Sequence, residues 1–248
     1  MNTHLITAVE ILRQSDQGYS AIPFIIRADD GYIYFVKGFS KTKPVGLVSE
    51  VIAAELGSRI GLPIPEWRYI HIPDELIEFS FLKNACDLSG GIAFASRQVD
   101  NARDLLFESV ENVDPQLRLL LITFDYWIQN EDRNLSKQGG NVNLLLSDYS
   151  TLHVIDHNGA FDTHFSLVNF TNHHVFKDSI SDLADLMTQA SLKATFAKAL
   201  DDWQAIIASL PQQWLYHDKE QIDVIEPSLA TRLNILTRYT QDSFWGAL

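Results

Sequence analysis

The sequence predicts an α+β protein in two parts: a small β-rich N-terminal unit with one helix, and a larger, mostly helical C-terminal unit. Three observations carry this. Strand-like runs dominate the first 75 residues or so, helical periodicity dominates from about Asp178 onward, and residues 73 to 104 between them are irregular, with Pro73 and Gly90-Gly91. The expected division is residues 1–80 and 81–248. A chain of 248 residues with 46% hydrophobic and 21% charged residues is long enough to bury a large core without crosslinks, which excludes disordered and collagen-like classes.

The first element expected is a hairpin. Ile22–Arg27 and Tyr32–Lys37 are β-branched and aromatic runs separated by Asp29-Asp30-Gly31, an Asp-Gly turn. A helix follows over Leu47 to Ile60, where Val48, Ile52, Leu56 and Ile60 recur at helical spacing and Gly61, Pro63 and Pro65 supply the stop. Trp67 to Ile72 returns to a strand pattern. In the second part, Asp114-Pro115 starts a helix, with Asp as cap and Pro in the first turn, and Leu117, Leu120, Leu121, Phe124 and Ile128 form one face. A second hairpin is expected from Asn143–Leu146 and Leu152–Ile155, and helices complete the chain around Ile180 to Met187, Phe196 to Ile207, and Leu229 to Leu236. Trp67, Trp127, Trp203, Trp214 and Trp245 are expected to pack in the core.

Charge and targeting signals narrow the partners. Acidic residues outnumber basic ones 32 to 19, for a net charge of −13, and there is no Lys/Arg run, so nucleic acid and anionic membranes are poor partners. Met1 to Gln14 lacks the apolar core of a signal peptide, and the longest apolar stretch, Leu119 to Phe124, is far too short to span a bilayer. With Cys86 as the single cysteine, a cytoplasmic protein without internal disulfides is expected.

Lys37 closes a strand with its stem against apolar neighbours, the placement a phosphate-binding ammonium needs. Asp132 follows the long helix, and the second hairpin folds Asp156 back beside Asn141 or Asn143. Acids and an amide gathered this way supply a base and oxygen ligands for magnesium, which phosphoryl transfer requires. These segments resemble the HipA-like kinases, relatives of phosphatidylinositol and protein kinases. The resemblance rests on Asn130-Glu131-Asp132-Arg133-Asn134, Asn141-Val142-Asn143-Leu144-Leu145 and Ile155-Asp156-His157. Gly18-Tyr19-Ser20, Val36-Lys37, Leu47-Val48-Ser49-Glu50, Gly61 to Pro65 and Leu210 to Trp214 add to it.

The resemblance implies a two-lobed protein-kinase-like fold that uses ATP and Mg2+ to phosphorylate a hydroxyl, on serine or threonine of a protein or of itself, or on a small molecule. It implies that Lys37 contacts the phosphates with Glu50 as its ion-pair partner, that Gly18 and Ser20 cover them, that Asp132 is the catalytic base or orienting acid, and that Asn141 and Asp156 bind metal. The residues leave alternatives open. Leu135 to Gly140 lengthen the loop after Asp132, so Asn143 or Asn134 could replace Asn141 as ligand. Glu55, unlike Glu50, lies on the stripe of Val48, Ile52 and Leu56, and could be the partner of Lys37. No G-x-G-x-x-G occurs. The competing readings are a metal-dependent hydrolase, from the crowding of His153, Asp156, His157, His164, His173 and His174, and a nucleotide- or partner-binding module in which the lengthened loop has ended turnover.

Overall fold

The computed structural model describes residues 5–16, 22–148, 151–218 and 220–248. The fold is α+β, in two compact units that are not contiguous in sequence. The first comprises Met1–Val51, Pro65–Asp100 and Pro211–Ile225, and the second Ile52–Ile64, Asn101–Leu210 and Glu226–Leu248. The expected boundary at residue 80 therefore falls inside the first unit.

The reason is a closed barrel. Strands β1 (Ile6–Gln14), β2 (Phe24–Ala28), β3 (Ile33–Lys37), β4 (Trp67–Ile72) and β5 (Gly91–Arg97) close in the order β1-β2-β3-β5-β4. β1 runs parallel to β4, with Ile6 opposite Ile70, and the other neighbours are antiparallel. Alternate residues point inward, so Ile6, Ala8, Phe24, Ile26, Tyr34, Val36, Ile70, Ala93 and Ala95 fill the interior. The hairpin turn forms at Asp29-Asp30-Gly31, where Gly31 takes φ 85°, a left-handed conformation that a residue with a Cβ resists. β1 and β5 were not expected as strands. β1 alternates only at its start, and β5 sits in the stretch that its glycines mark as irregular.

Helix α1 runs from Phe39 to Arg59, beginning earlier than expected, with a backbone break at Lys43 (φ 60°, ψ 158°) just before Pro44. A short helix, α2 (Asp74–Glu78), is the second in the first unit, where one was expected. Gly18 and Ser20 lie outside the described residues.

The second unit is mostly helical. Its longest helices are α3 (Pro115–Trp127) and α5 (Leu186–Leu200), and β6 (Arg103–Asp104), β7 (Leu144–Leu146) and β8 (Leu152–Val154) form a small antiparallel sheet. The start of α3 is as its sequence dictates: the Asp114 carboxylate accepts from the Leu117 amide at 3.0 Å, with Pro115 in the first turn. Helices α4 (Leu167–His173), α6 (Trp203–Ala208), α7 (Leu229–Thr237) and α8 (Asp242–Trp245) complete the unit, while Lys177–Ala184 forms a 3-10 helix where α-helix was expected. All five tryptophans are buried. Trp127 stacks on Phe196 with ring centroids 4.1 Å apart and donates to the Leu236 carbonyl at 2.6 Å, satisfying its indole N–H inside the core. Among the described residues no helix is long and apolar enough to cross a membrane.

Candidate active site

The candidate residues fall into two constellations, one in each unit. In the first unit, Lys37 ends β3 with only 8% of its surface exposed. Its Nζ donates to Glu50 Oε1 at 2.5 Å, and Glu50, on α1, is 2% exposed. Two charges drawn this far out of water are tolerable only when well paired. Glu55 instead accepts from Arg59 at 3.1 Å, a pair one helical turn apart. The stripe argument for Glu55 fails because α1 is buried nearly all round: Ser49, Glu50, Val51, Ala53 and Ala54 are as covered as Val48, Ile52 and Leu56.

In the second unit the site grows from the end of α3. Asp125 lies in the apolar run Leu119 to Ile128 and is fully buried. Its Oδ1 accepts from Asn130 Nδ2 at 2.8 Å, and its Oδ2 accepts from Arg133 Nε at 2.7 Å and from His174 Nε2 at 3.0 Å. Burial alone would raise the pKa of Asp125, but the Arg133 guanidinium and the His174 donor overcome this and hold it below the usual carboxylate range. His174 Nδ1 accepts the Phe176 amide N–H at 3.1 Å, so the ring proton sits on Nε2 and the imidazole is neutral. Burial also lowers the pKa of His174, against the pull of Asp125.

Asn130 Oδ1 in turn accepts the Asp132 amide at 3.3 Å, which fixes the start of the loop. The Asn141 and Asn143 amides both donate to the Asp132 carbonyl, at 3.3 and 3.0 Å. The pKa of Asp132 is raised by desolvation and by the charge of Asp156, with the Asn141, Arg133 and Asn143 side chains opposing the rise. Asp132, Asn141, Asn143 and Asp156 are therefore brought together.

The extra residues of the loop do not spread it. Asn134 N donates to Asn141 O at 2.8 Å, Asn141 N donates to Asn134 Oδ1 at 3.2 Å, and Ser136 and Gly139 exchange backbone bonds at 3.0 Å. Leu135 to Gly140 thus form a small closed excursion that returns the chain beside its starting point. Asn134 Oδ1 is engaged in closing it, which leaves Asn141 and Asn143 as the amides against Asp132.

Arg133 links the remaining parts. Its Nη1 donates to the Asn143 carbonyl and, at 3.4 Å, to the Ile155 carbonyl, while Nη2 lies 3.3 Å from His157 Nε2. The Ile155 amide donates to the same Asn143 carbonyl at 3.2 Å. Both Asn143 (φ 48°) and Asp156 (φ 59°) have left-handed backbones, uncommon for residues other than glycine. Next to this cluster, a cavity of about 540 Å³ is lined by residues that include Glu131, Asn134, Asn169, Asn172 and Lys177.

Asp125 escaped the sequence reading, His174 entered it only as one of a cluster of histidines, and Arg133 only as part of a motif. One signal was there: an acid inside an otherwise apolar run, at a position too buried to remain unpaired. The histidines do not gather as a hydrolase centre would require. His174 is bonded to Asp125 and His153 to Ser147 at 3.0 Å, and among the described residues no group of three His, Cys, Asp or Glu side chains could hold a metal. The oxygen donors of Asp156, Asn141 and Asn143 suit a hard divalent cation instead.

A family model described as HipA-like kinase matches residues 8–248. The chain belongs to the HipA-like kinases. It is a phosphotransferase, and its family implies ATP, a divalent metal and a hydroxyl substrate. Among solved structures, this HipA-like kinase resembles the proinflammatory kinase CtkA of Helicobacter pylori. The TM-score is 0.57 at 12% identity, covering 99% of this chain and 96% of that one, a likeness of fold alone. It is also similar to a Golgi casein kinase, with TM-score 0.45, 12% identity and coverage of 98% and 72%. No curated protein sequence matches the chain.

Proposed function

We propose that this HipA-like kinase transfers the γ-phosphate of ATP, with magnesium, to a serine or threonine hydroxyl of a protein, itself included. The observation that supports active chemistry over a binding-only module is the closed excursion at Leu135 to Gly140. It returns Asn141 and Asn143 to the Asp132 carbonyl, so the lengthened loop does not displace the amides.

In this reading Lys37, held by Glu50, contacts the nucleotide phosphates, and Gly18 and Ser20 cover them, as the family resemblance implies. Asp156 with Asn141 or Asn143 would hold the cation, which when bound offsets charge on the β- and γ-phosphates. Asp132 orients the acceptor hydroxyl and takes its proton; desolvation and the charge of Asp156 raise its proton affinity toward that task. The amides of Asn134, Asn169 and Asn172 in the neighbouring cavity both donate and accept, as recognition of a polypeptide main chain requires. The net charge of −13 disfavours nucleic acid and anionic membranes as partners.

Incubation with radiolabelled ATP and magnesium, read by gel and mass spectrometry, tests the assignment. Wild type is expected to incorporate label on Ser or Thr, and Asp132→Ala and Asp156→Ala to lose it by about a hundredfold or more while remaining folded. Label that persists in both variants removes the proposed site.

A further inference from the structure

Two of the candidate ligand positions share an uncommon backbone, and one buried guanidinium reaches the peptide units of both. Asn143 and Asp156 stand at φ 48° and 59°. Asn and Asp enter the left-handed region more readily than other residues with a Cβ, and here nearby contacts hold both of them there. Arg133 Nη1 donates to the carbonyl of Asn143 itself and to that of Ile155, the residue before Asp156. The Ile155 amide joins the two segments through the same Asn143 carbonyl.

The guanidinium is aimed from behind. Its Nε donates to Asp125, and Asp125 is oriented by the neutral His174, whose Nδ1 is committed to the Phe176 amide. Arg133, Asp125 and His174 are all buried, so water does not compete for these bonds. A purely structural ion pair would need only the Arg133–Asp125 contact. Nη1 is instead spent on the backbone at the candidate ligands, while Nη2 faces His157 Nε2.

We infer that Arg133 is a positioning residue, oriented by Asp125 and His174, that holds Asn143 and Asp156 in the conformations from which their side chains bind the divalent cation. The inference rests on the metal-binding roles proposed above. Groups that support metal ligands from behind typically change metal affinity 10- to 100-fold when altered.

The test is a Mn2+ titration in the presence of ADP, with free Mn2+ read by electron paramagnetic resonance, alongside thermal unfolding. Arg133→Lys keeps a positive charge near Asp125 but lacks the fork, and is expected to weaken Mn2+ binding by about 10- to 100-fold. Ile206→Ala, in α6 and remote from the network in its bonding, is expected to lower Tm and leave Mn2+ affinity unchanged. His174→Asn retains an acceptor for the Phe176 amide and loses the donor to Asp125, and is expected to weaken Mn2+ by a smaller, measurable factor. Wild-type Mn2+ affinity in Arg133→Lys overturns the inference, as does an equal loss in Ile206→Ala. If Arg133→Lys does not fold, wild-type affinity in His174→Asn overturns it, and failure of both variants to fold counts against a positioning role separable from folding. Asp156→Asn separates the two levels of the argument. Affinity indifferent to Asp156→Asn defeats the site reading, whereas affinity lost in Asp156→Asn and kept in Arg133→Lys defeats only the role of Arg133.

Discussion

Lys37 and Glu50 illustrate how much a pair of residues can cost and what it is kept for. Both are nearly removed from water and bonded at 2.5 Å. Removing one partner of a buried pair costs about 3–5 kcal/mol, yet replacing both by apolar residues of similar size is often neutral. Glu50→Ala is therefore expected to lower Tm by roughly 6–20 °C, taking about 2–4 °C per kcal/mol for a chain of this size. The double variant Lys37→Met/Glu50→Leu should recover most of that loss in a thermal melt while nucleotide-dependent stabilisation disappears. Recovery of stability without loss of nucleotide binding would place Lys37 outside the phosphate site. The identity of this pair was legible in the sequence through the family resemblance, whereas helical-wheel reasoning favoured Glu55. The wheel misled because it assumes one wet face, and α1 has almost none. The bond between Asp125 and His174 was illegible for a different reason: the two are 49 residues apart, and only the folded chain brings them together.

At the scale of elements, the loop between Asp132 and Asn141 carries the most weight. Gly140 is required there by close approach, since a Cβ at this position would meet the Asn134 carbonyl oxygen at 2.5 Å, with backbone rather than a flexible side chain as the obstacle. Gly140→Ala is expected to open the excursion and shift Asn141. Transfer to the acceptor should fall by about tenfold or more, while Tm drops only by about 2–4 °C, because the loop is exposed and contributes little to the core. A steady-state assay beside a melt checks this, and unchanged kcat with a lowered Tm would show that closure of the loop is irrelevant to transfer. The elements around the loop were readable from local rules. The cap and proline of α3 and the second hairpin follow from their sequences, because those rules act within a few residues. β5 was hidden, since its edges are Gly90-Gly91 and its strand character comes from pairing with β3 and β4, which no local pattern reveals.

For the whole molecule, acid stability depends on the buried polar network. His174 has its pKa lowered from 6.5 by burial. Its unfolded form binds a proton more readily than its folded form, so stability is complete above pH about 6.5 and declines as pH falls below that value. Asp125 has a depressed pKa. Its contribution is complete above about pH 3.9, the ordinary value for Asp, and is lost as pH falls further through its folded pKa. Melting temperature should therefore begin to drop below pH 6.5, in a step that His174→Gln removes, with a second decline in stronger acid. A Tm that stays flat from pH 7 to pH 5 in the wild type would contradict the neutral, buried state of His174. The molecule's division into units has a further consequence. Trp214, in the stretch Pro211–Ile225 that belongs with the barrel, is fully buried and meets Tyr69 edge-on with centroids 5.6 Å apart. During synthesis on the ribosome, the barrel strands emerge long before the segment that covers Tyr69. The nascent first unit must wait, partly unfinished, until most of the second has left the exit tunnel.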